Sequence, residues 1–127
     1  MSSLLVDTSC FIAFLRGRDR ETLPPLILSG HVVLSAVVKL ELLAGVRKDE
    51  ALILEELLSG LHELSDFPPI EHCQRLLTLA RGRGLLGGIP DLMILADCER
   101  TKSTLLSADR KLLKLAKELR IGSGVVA

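Results

Sequence analysis

LLVDTS, residues 4–9, carries three apolar residues straight into an aspartate. Leu4, Leu5 and Val6 do not alternate with polar residues, so they read as a short strand covered on both faces, as strands of a parallel sheet are. Asp7 then stands at the strand's carboxyl end. In open α/β sheets the crevice outside those ends is where ligands bind. A helix cap is the competing assignment, because Asp7, Thr8 and Ser9 all suit the free N–H groups of a helix beginning near Cys10. On this stretch alone the cap is favoured.

Working outward, residues 9–16 read as a helix closed by Gly17, and a second helix begins near Pro24, where proline suits a first turn, and ends at Gly30. Residues 31–34 form a buried strand. Ser35 caps a helix over 36–46, and 49–59 gives another with its acids outward. Residues 62–64 are a weak strand, 69–81 a helix, and GRGLLGG a glycine-rich break. Helix 90–100, strand 104–106 and a basic amphipathic helix over 110–119 follow, with a last short strand at Val125 and Val126. This alternation predicts an α/β chain, a three-layer α/β/α sandwich around a mostly parallel sheet of four or five strands. At 127 residues the chain suits one domain, 1–127.

Hydrophobic residues make up 48% of the chain, yet no stretch reaches the roughly 18 apolar residues of a membrane helix. The apolar start lacks a preceding basic region and is interrupted by Asp7, unlike a secretory signal, so a cytoplasmic protein is expected. Cys10, Cys73 and Cys98 are far apart and lack C-x-x-C spacing, which predicts buried thiols rather than a disulfide framework or zinc site.

Sixteen basic and sixteen acidic residues cancel, so net charge does not mark a nucleic-acid binder. Their distribution is uneven. Residues 49–71 hold acids and neither Lys nor Arg, whereas Arg100, Lys102, Arg110, Lys111, Lys114, Lys117 and Arg120 crowd the C-terminal third. Arg16, Arg18 and Arg20 form a second basic group. Such runs are usually solvated helix faces; beside a catalytic site they would form a phosphate-contacting rim. With three Phe and neither Trp nor Tyr, little material exists for base stacking, and nucleic acid would be held by its backbone.

Further acids depart from polar faces. TLLSAD echoes the opening stretch, with Asp109 following Leu106 by three residues, so it should emerge at the same sheet edge as Asp7. Glu41 has Val37 and Val38 at i−4 and i−3 and Ala44 and Gly45 at i+3 and i+4, which aligns it with the apolar stripe. Asp91 follows Pro90 at a helix start and shares a face with Ile94, Leu95 and Cys98; a cap or dipole role competes with function there. Asp97 and Glu99 turn away from that face and are expected at the surface. Asp7, Glu41, Asp91 and Asp109 together read as acids converging on one sheet end, where like charges need a cation. Oxygen ligands suit Mg²⁺ or Mn²⁺. His31, His62 and His72 are scattered, which favours a metal-activated water over histidine catalysis.

LLVDTS, LSAVVKLELLAGV, GIPDLMILA and LLSADRKL resemble, in order, the four acidic motifs of the PIN domain, over nearly the whole chain. Compact chains of this form are most similar to VapC-type toxin ribonucleases. The resemblance implies that Asp7, Glu41, Asp91 and Asp109 are catalytic, metal-binding acids, with Ser9 and Ser107 as supporting polar neighbours. It implies RNA cleavage with Mg²⁺ or Mn²⁺, a homodimer, and a cognate antitoxin. That partner would lay an apolar helix against the first two helices, at Phe11, Phe14 and Leu15, and extend a basic side chain to the acids; core packing is at least as good an account of these three residues. Ser107 replaces the usual threonine of the last motif and Leu112 its usual aromatic. Neither change removes a carboxylate. Three alternatives stand beside the toxin reading: a stand-alone RNA-processing nuclease, an aspartate-nucleophile phosphotransfer protein, and a PIN-like module that binds without catalysis. Ser9 occupies the place where such phosphatases usually carry a second aspartate.

Overall fold

A computed structural model gives the structure of residues 3–85 and 87–125. The apolar run before Asp7 is strand β1 (Leu4–Val6), and the elements that follow are α1 (Thr8–Leu15), α2 (Leu23–Leu28), β2 (Val32–Leu34), α3 (Ala36–Gly45), α4 (Ala51–Ser59), β3 (His62–Glu63), α5 (Ile70–Gly82), α6 (Ile89–Thr101), β4 (Thr104–Ser107), α7 (Arg110–Glu118) and β5 (Ser123–Val125). Among the described residues the five strands form one parallel sheet flanked by seven helices, the three-layer α/β/α arrangement that the alternation predicts. The predicted last strand includes Val125; Val126 lies outside the described residues, as does Leu86 of the glycine-rich break.

Strand order is β3-β2-β1-β4-β5. The chain leaves central β1 through β2 to β3, then returns to the other flank of β1 as β4 and ends at β5. The order thus reverses between β1 and β4, the switch point at which an open parallel sheet leaves a crevice beyond its carboxyl ends. Leu5 pairs with Leu105 and Val6 with Leu106. One step further, the Asp7 N–H donates to the Leu106 carbonyl at 2.9 Å. Asp7 is therefore pinned at the mouth of that crevice.

Layers on both faces explain the unbroken apolar strands. All of β2 is buried, as are Leu5, Val6 and Leu105. Helices contribute Phe11, Leu42, Leu76 and Leu95, each fully buried and each stabilising the fold by about 1.5–3 kcal/mol. Helix α7 has a sharply divided surface, with Leu112, Leu115 and Ala116 inward and its lysines outward.

Several boundaries shift for local reasons. Asp19 organises the approach to α2, accepting from the Glu21 and Thr22 N–H groups at 3.1 and 3.2 Å, and the prolines fall in its first turn. The expected helix over 49–59 divides into a 3₁₀ turn (Lys48–Glu50) and α4, because Glu50 turns back to accept from the Arg47 N–H at 2.9 Å. Ser35 caps α3 as predicted, accepting from the Val37 N–H at 3.1 Å.

Asp97 corrects the sequence reading. Expected at the surface, it is fully buried, because α6 is enclosed on all sides from Ile94 to Cys98. Its Oδ2 accepts from Ser35 Oγ at 2.8 Å and its Oδ1 from Arg100 Nε at 2.7 Å. Glu99 is half-buried and paired with His72 at 2.6 Å and with Arg75. Burial pushes its carboxyl up, but the Arg75 and His72 hydrogen bonds outweigh that and hold it below the usual range.

Candidate active site

Asp7 occupies the position just before α1, yet its side chain makes no cap bond to that helix. Asp7 as a whole is 5% exposed. Ser9 Oγ and Ser107 Oγ both donate to the same oxygen, Oδ2, at 2.9 and 2.8 Å. Each hydroxyl is fixed from behind: Ser9 accepts from the Ala108 N–H at 3.2 Å and Ser107 from the Asp109 N–H at 2.9 Å. Two strand ends, β1 and β4, thus orient one carboxylate through two short side chains. The cap assignment that the isolated stretch favoured fails here.

Asp109 does cap a helix. It accepts from the Lys111 and Leu112 N–H groups at 2.9 and 3.3 Å at the start of α7, through Oδ1. This fixes the side chain beside the end of β4. Glu41 departs from expectation, since it is exposed; the inward stripe of α3 is Val37, Val38 and Leu42, and Ala44 and Gly45 are exposed with it. Its neighbours at i−4 and i−3 are apolar, but the stripe passes one residue further on, through Leu42. Thr8 Oγ1 nevertheless donates to Glu41 Oε1 at 2.8 Å, tying it to the residue after Asp7. Thr8 enters the site through this bond, a role that sequence alone did not distinguish from capping.

Asp91 is the third residue of α6 and half-buried. Burial pushes its carboxyl up, and repulsion from Asp109, Asp7 and Glu41 pushes it further in the same direction. All four predicted acids therefore act on one region. Among the described residues, no Lys, Arg or His forms an ion pair with any of them.

Among the described residues, no three His, Cys, Asp or Glu side chains stand as a ready-made metal cage. The donor chemistry still fits a hard cation, being carboxylate and hydroxyl oxygen with neither imidazole nor thiolate. Of the three cysteines expected to be buried thiols, Cys10 and Cys98 are buried and Cys73 is half-buried; burial pushes Cys10 up to about 11 and Cys98 up to about 12, so both stay protonated at neutral pH.

Part of the predicted basic rim is structural. Arg16 Nε pairs with buried Glu50 at 3.2 Å, and Arg100 reaches Asp97 and the Asp66 carbonyl, the latter at 2.9 Å. Arg110, Lys111, Lys114, Lys117 and Arg120 remain exposed. The apolar residues expected to receive a partner on the first helices are mainly core, with Phe11 and Leu15 buried and Phe14 half-buried beneath the Arg20 guanidinium, 6.0 Å from its ring centre.

The family model of the PIN domain matches residues 4–118. Among solved structures the chain is similar to DNA-bound VapBC from Salmonella typhimurium, with 17% identity, a TM-score of 0.81 and 98% of each chain covered. It is similar to VapBC2 from Rickettsia felis bound to a promoter DNA fragment, at 19% identity, TM-score 0.81 and 98% of each chain. VapBC-1 from nontypeable Haemophilus influenzae gives 16% identity, a TM-score of 0.74 and 96% of each chain. At these identities the likeness is one of fold. No curated protein sequence matches the chain.

Proposed function

Since this chain belongs to the PIN domain family, we propose that it is a metal-dependent endoribonuclease, the toxin component of a toxin–antitoxin pair. One observation carries the reading: a buried carboxylate, Asp7, is oriented by Ser9 and Ser107 at the sheet's switch point, beside acids that no basic side chain among the described residues pairs with. A cluster serving only stability has no reason to hold like charges together, because their repulsion destabilises the fold.

Asp7, Glu41, Asp91 and Asp109 are the proposed catalytic acids and cation ligands. When bound there, Mg²⁺ or Mn²⁺ would supply a water of lowered pKa and positive charge to offset that of the phosphate. Ser9 and Ser107 keep the Asp7 carboxylate from rotating, Thr8 aims Glu41, and the first N–H groups of α7 hold Asp109. Preorganisation of this kind avoids rearranging dipoles during reaction. The donor set supports the cation rather than any preformed cage.

The VapBC neighbours support an antitoxin partner. Because Phe11 and Leu15 are core, the exposed Leu40 and Leu43 of α3 and Leu52 of α4 are the proposed contacts for its helix. A second copy is the proposed occupant of the apolar face where α5 and α6 begin, around Ile70 and Ile89.

Purified protein is tested on a structured RNA pool with Mg²⁺, Mn²⁺ or EDTA, wild type against Asp7→Asn. Expected is cleavage that requires metal and falls roughly 10²-fold or more in the variant. Identical behaviour of the two proteins under all three conditions, with folding verified, rejects the catalytic reading in favour of a binding module.

A further inference from the structure

Helix α7 carries a feature that the acids leave unexplained. Lys111, Lys114, Lys117 and Arg120 recur every third residue, all are exposed, and among the described residues none forms an ion pair. Residues three apart are neighbours on a helix surface, so Lys111, Lys114 and Lys117 form a stripe, which Arg120, two residues beyond the helix end, extends along the same depression as Lys114 and Lys117. Lys111 and Lys114 border one depression against Gly84 and Leu85. Lys114 continues into a second, of about 670 Å³, whose walls are Lys117, Arg120 and the chain from Ile121 to Gly124. Among the described residues no acid lines either depression. Part of the second wall is β5, the last strand of the sheet, and an edge strand leaves backbone N–H groups unpaired on its outer side.

The bland account of such a stripe is a solvated face. Two details count against it. Lys111 lies in the first turn of α7, at the positive end of the helix dipole, where a cation is disfavoured. Arg120 has φ of 59°, the left-handed region that favours glycine just past a helix end, yet an arginine stands there. A cation thus stands at each end of the stripe where local preference favours another residue.

We infer that the α7 stripe and the groove beside β5 form a docking track for the phosphodiester backbone of single-stranded RNA, leading away from the acids. The inference rests on the nuclease reading and adds a substrate-holding surface to it. Asp109 caps the helix, so the stripe begins within the first turn after one of the proposed catalytic acids. Between Lys111 and Lys117 it runs about 9 Å at roughly 1.5 Å per residue, room for two or three successive phosphates rather than a single ion. The scarcity of aromatic side chains makes backbone contact, with little sequence preference, the expected mode.

The test is binding of fluorescently labelled single-stranded RNA in EDTA, read by anisotropy across salt from about 50 to 200 mM. Wild type is compared with the double variant Lys114→Gln/Lys117→Gln and with Lys48→Gln, an exposed lysine on another surface. Each lysine that holds a phosphate contributes about 0.7 to the slope of log K against log salt, so the double variant should lose about 1.4 and bind roughly 25-fold more weakly near 0.1 M. Lys48→Gln should match wild type, and DNA of the same sequence should bind by the same track. An unchanged slope in the double variant, or an equal loss in Lys48→Gln, overturns the proposal, as does tighter capture by anionic phospholipid vesicles than by RNA. Because no bond is broken in EDTA, a protein that binds with the steep slope but never cleaves RNA with metal separates failure of the nuclease reading from failure of this one.

Discussion

Asp91 is where the tension between stability and proposed function is greatest. Its carboxyl is raised first by burial and then by Asp109, Asp7 and Glu41. An acid with a raised folded pKa binds protons more readily in the folded chain than in the unfolded one, so stability is lost as pH rises through the folded pKa. Asp91→Asn removes the charge and nearly keeps the shape. It should raise stability at neutral pH by about 0.5–1 kcal/mol, the modest size reflecting solvent screening of a half-buried group, while lowering RNA cleavage. The advantage should shrink in acid, where the wild-type carboxyl is already protonated. Urea melts across pH check this, and a variant less stable than wild type at neutral pH contradicts it. Glu41 shows what sequence withheld at this scale. Its placement beside Asp7 was legible from the motif order, but its exposure was not, because four apolar neighbours on a helical wheel do not say which of them face the sheet.

The helices are joined by polar contacts that no periodicity announces. Ser35 caps α3, which carries Glu41, and also donates to Asp97 of α6, which carries Asp91. One hydroxyl thus couples two acid-bearing helices. Ser35→Ala removes a cap and leaves a buried carboxylate short of a donor, so a loss of about 1–3 kcal/mol is expected in denaturant melts; an effect below a few tenths would show that the network is redundant. A second element-level contact holds the turn before α4. Glu50 is kept below the usual carboxylate range chiefly by the Arg47 N–H, with Arg16 assisting against burial. For a depressed acid the stabilisation is present above the unfolded pKa and lost as pH falls through the folded one. Glu50→Gln should therefore be less stable than wild type at neutral pH, and the two melting curves should converge below about pH 4. Curves that stay parallel into acid would assign the role of Glu50 to packing. The burial of Asp97 is not legible in sequence because a helix enclosed on all sides has no outward face, and the angle between Asp97 and Asp91 says nothing of what packs over either.

Across the whole molecule, topology converts scattered acids into a neighbourhood. Asp7 and Asp109 are far apart in the chain, yet both follow strands that pair in register as β1 and β4. That much was legible, since doubly covered parallel strands read as apolar runs and their carboxyl ends as the first polar residues after them. The strand order was not legible, because residues on the strands carry no label for their neighbours; only the sheet reveals that the reversal falls between these two strands. The arrangement implies a linkage that can be measured without any substrate. Acids that repel one another in the free protein gain most from a cation, and a ligand that binds only the folded state stabilises it by about 2.7 kcal/mol at a hundred times its dissociation constant. For a chain of this size that is roughly 10 °C in melting temperature, at about 4 °C per kcal/mol. Mn²⁺ or Mg²⁺ should therefore raise the melting temperature of the wild type, EDTA should reverse the rise, and Asp7→Asn should abolish most of it while folding normally. A wild type whose melting temperature ignores both ions would mean that the folded chain alone does not gather its acids into a cation site, and the proposed ligands would then have to be tested in the RNA complex.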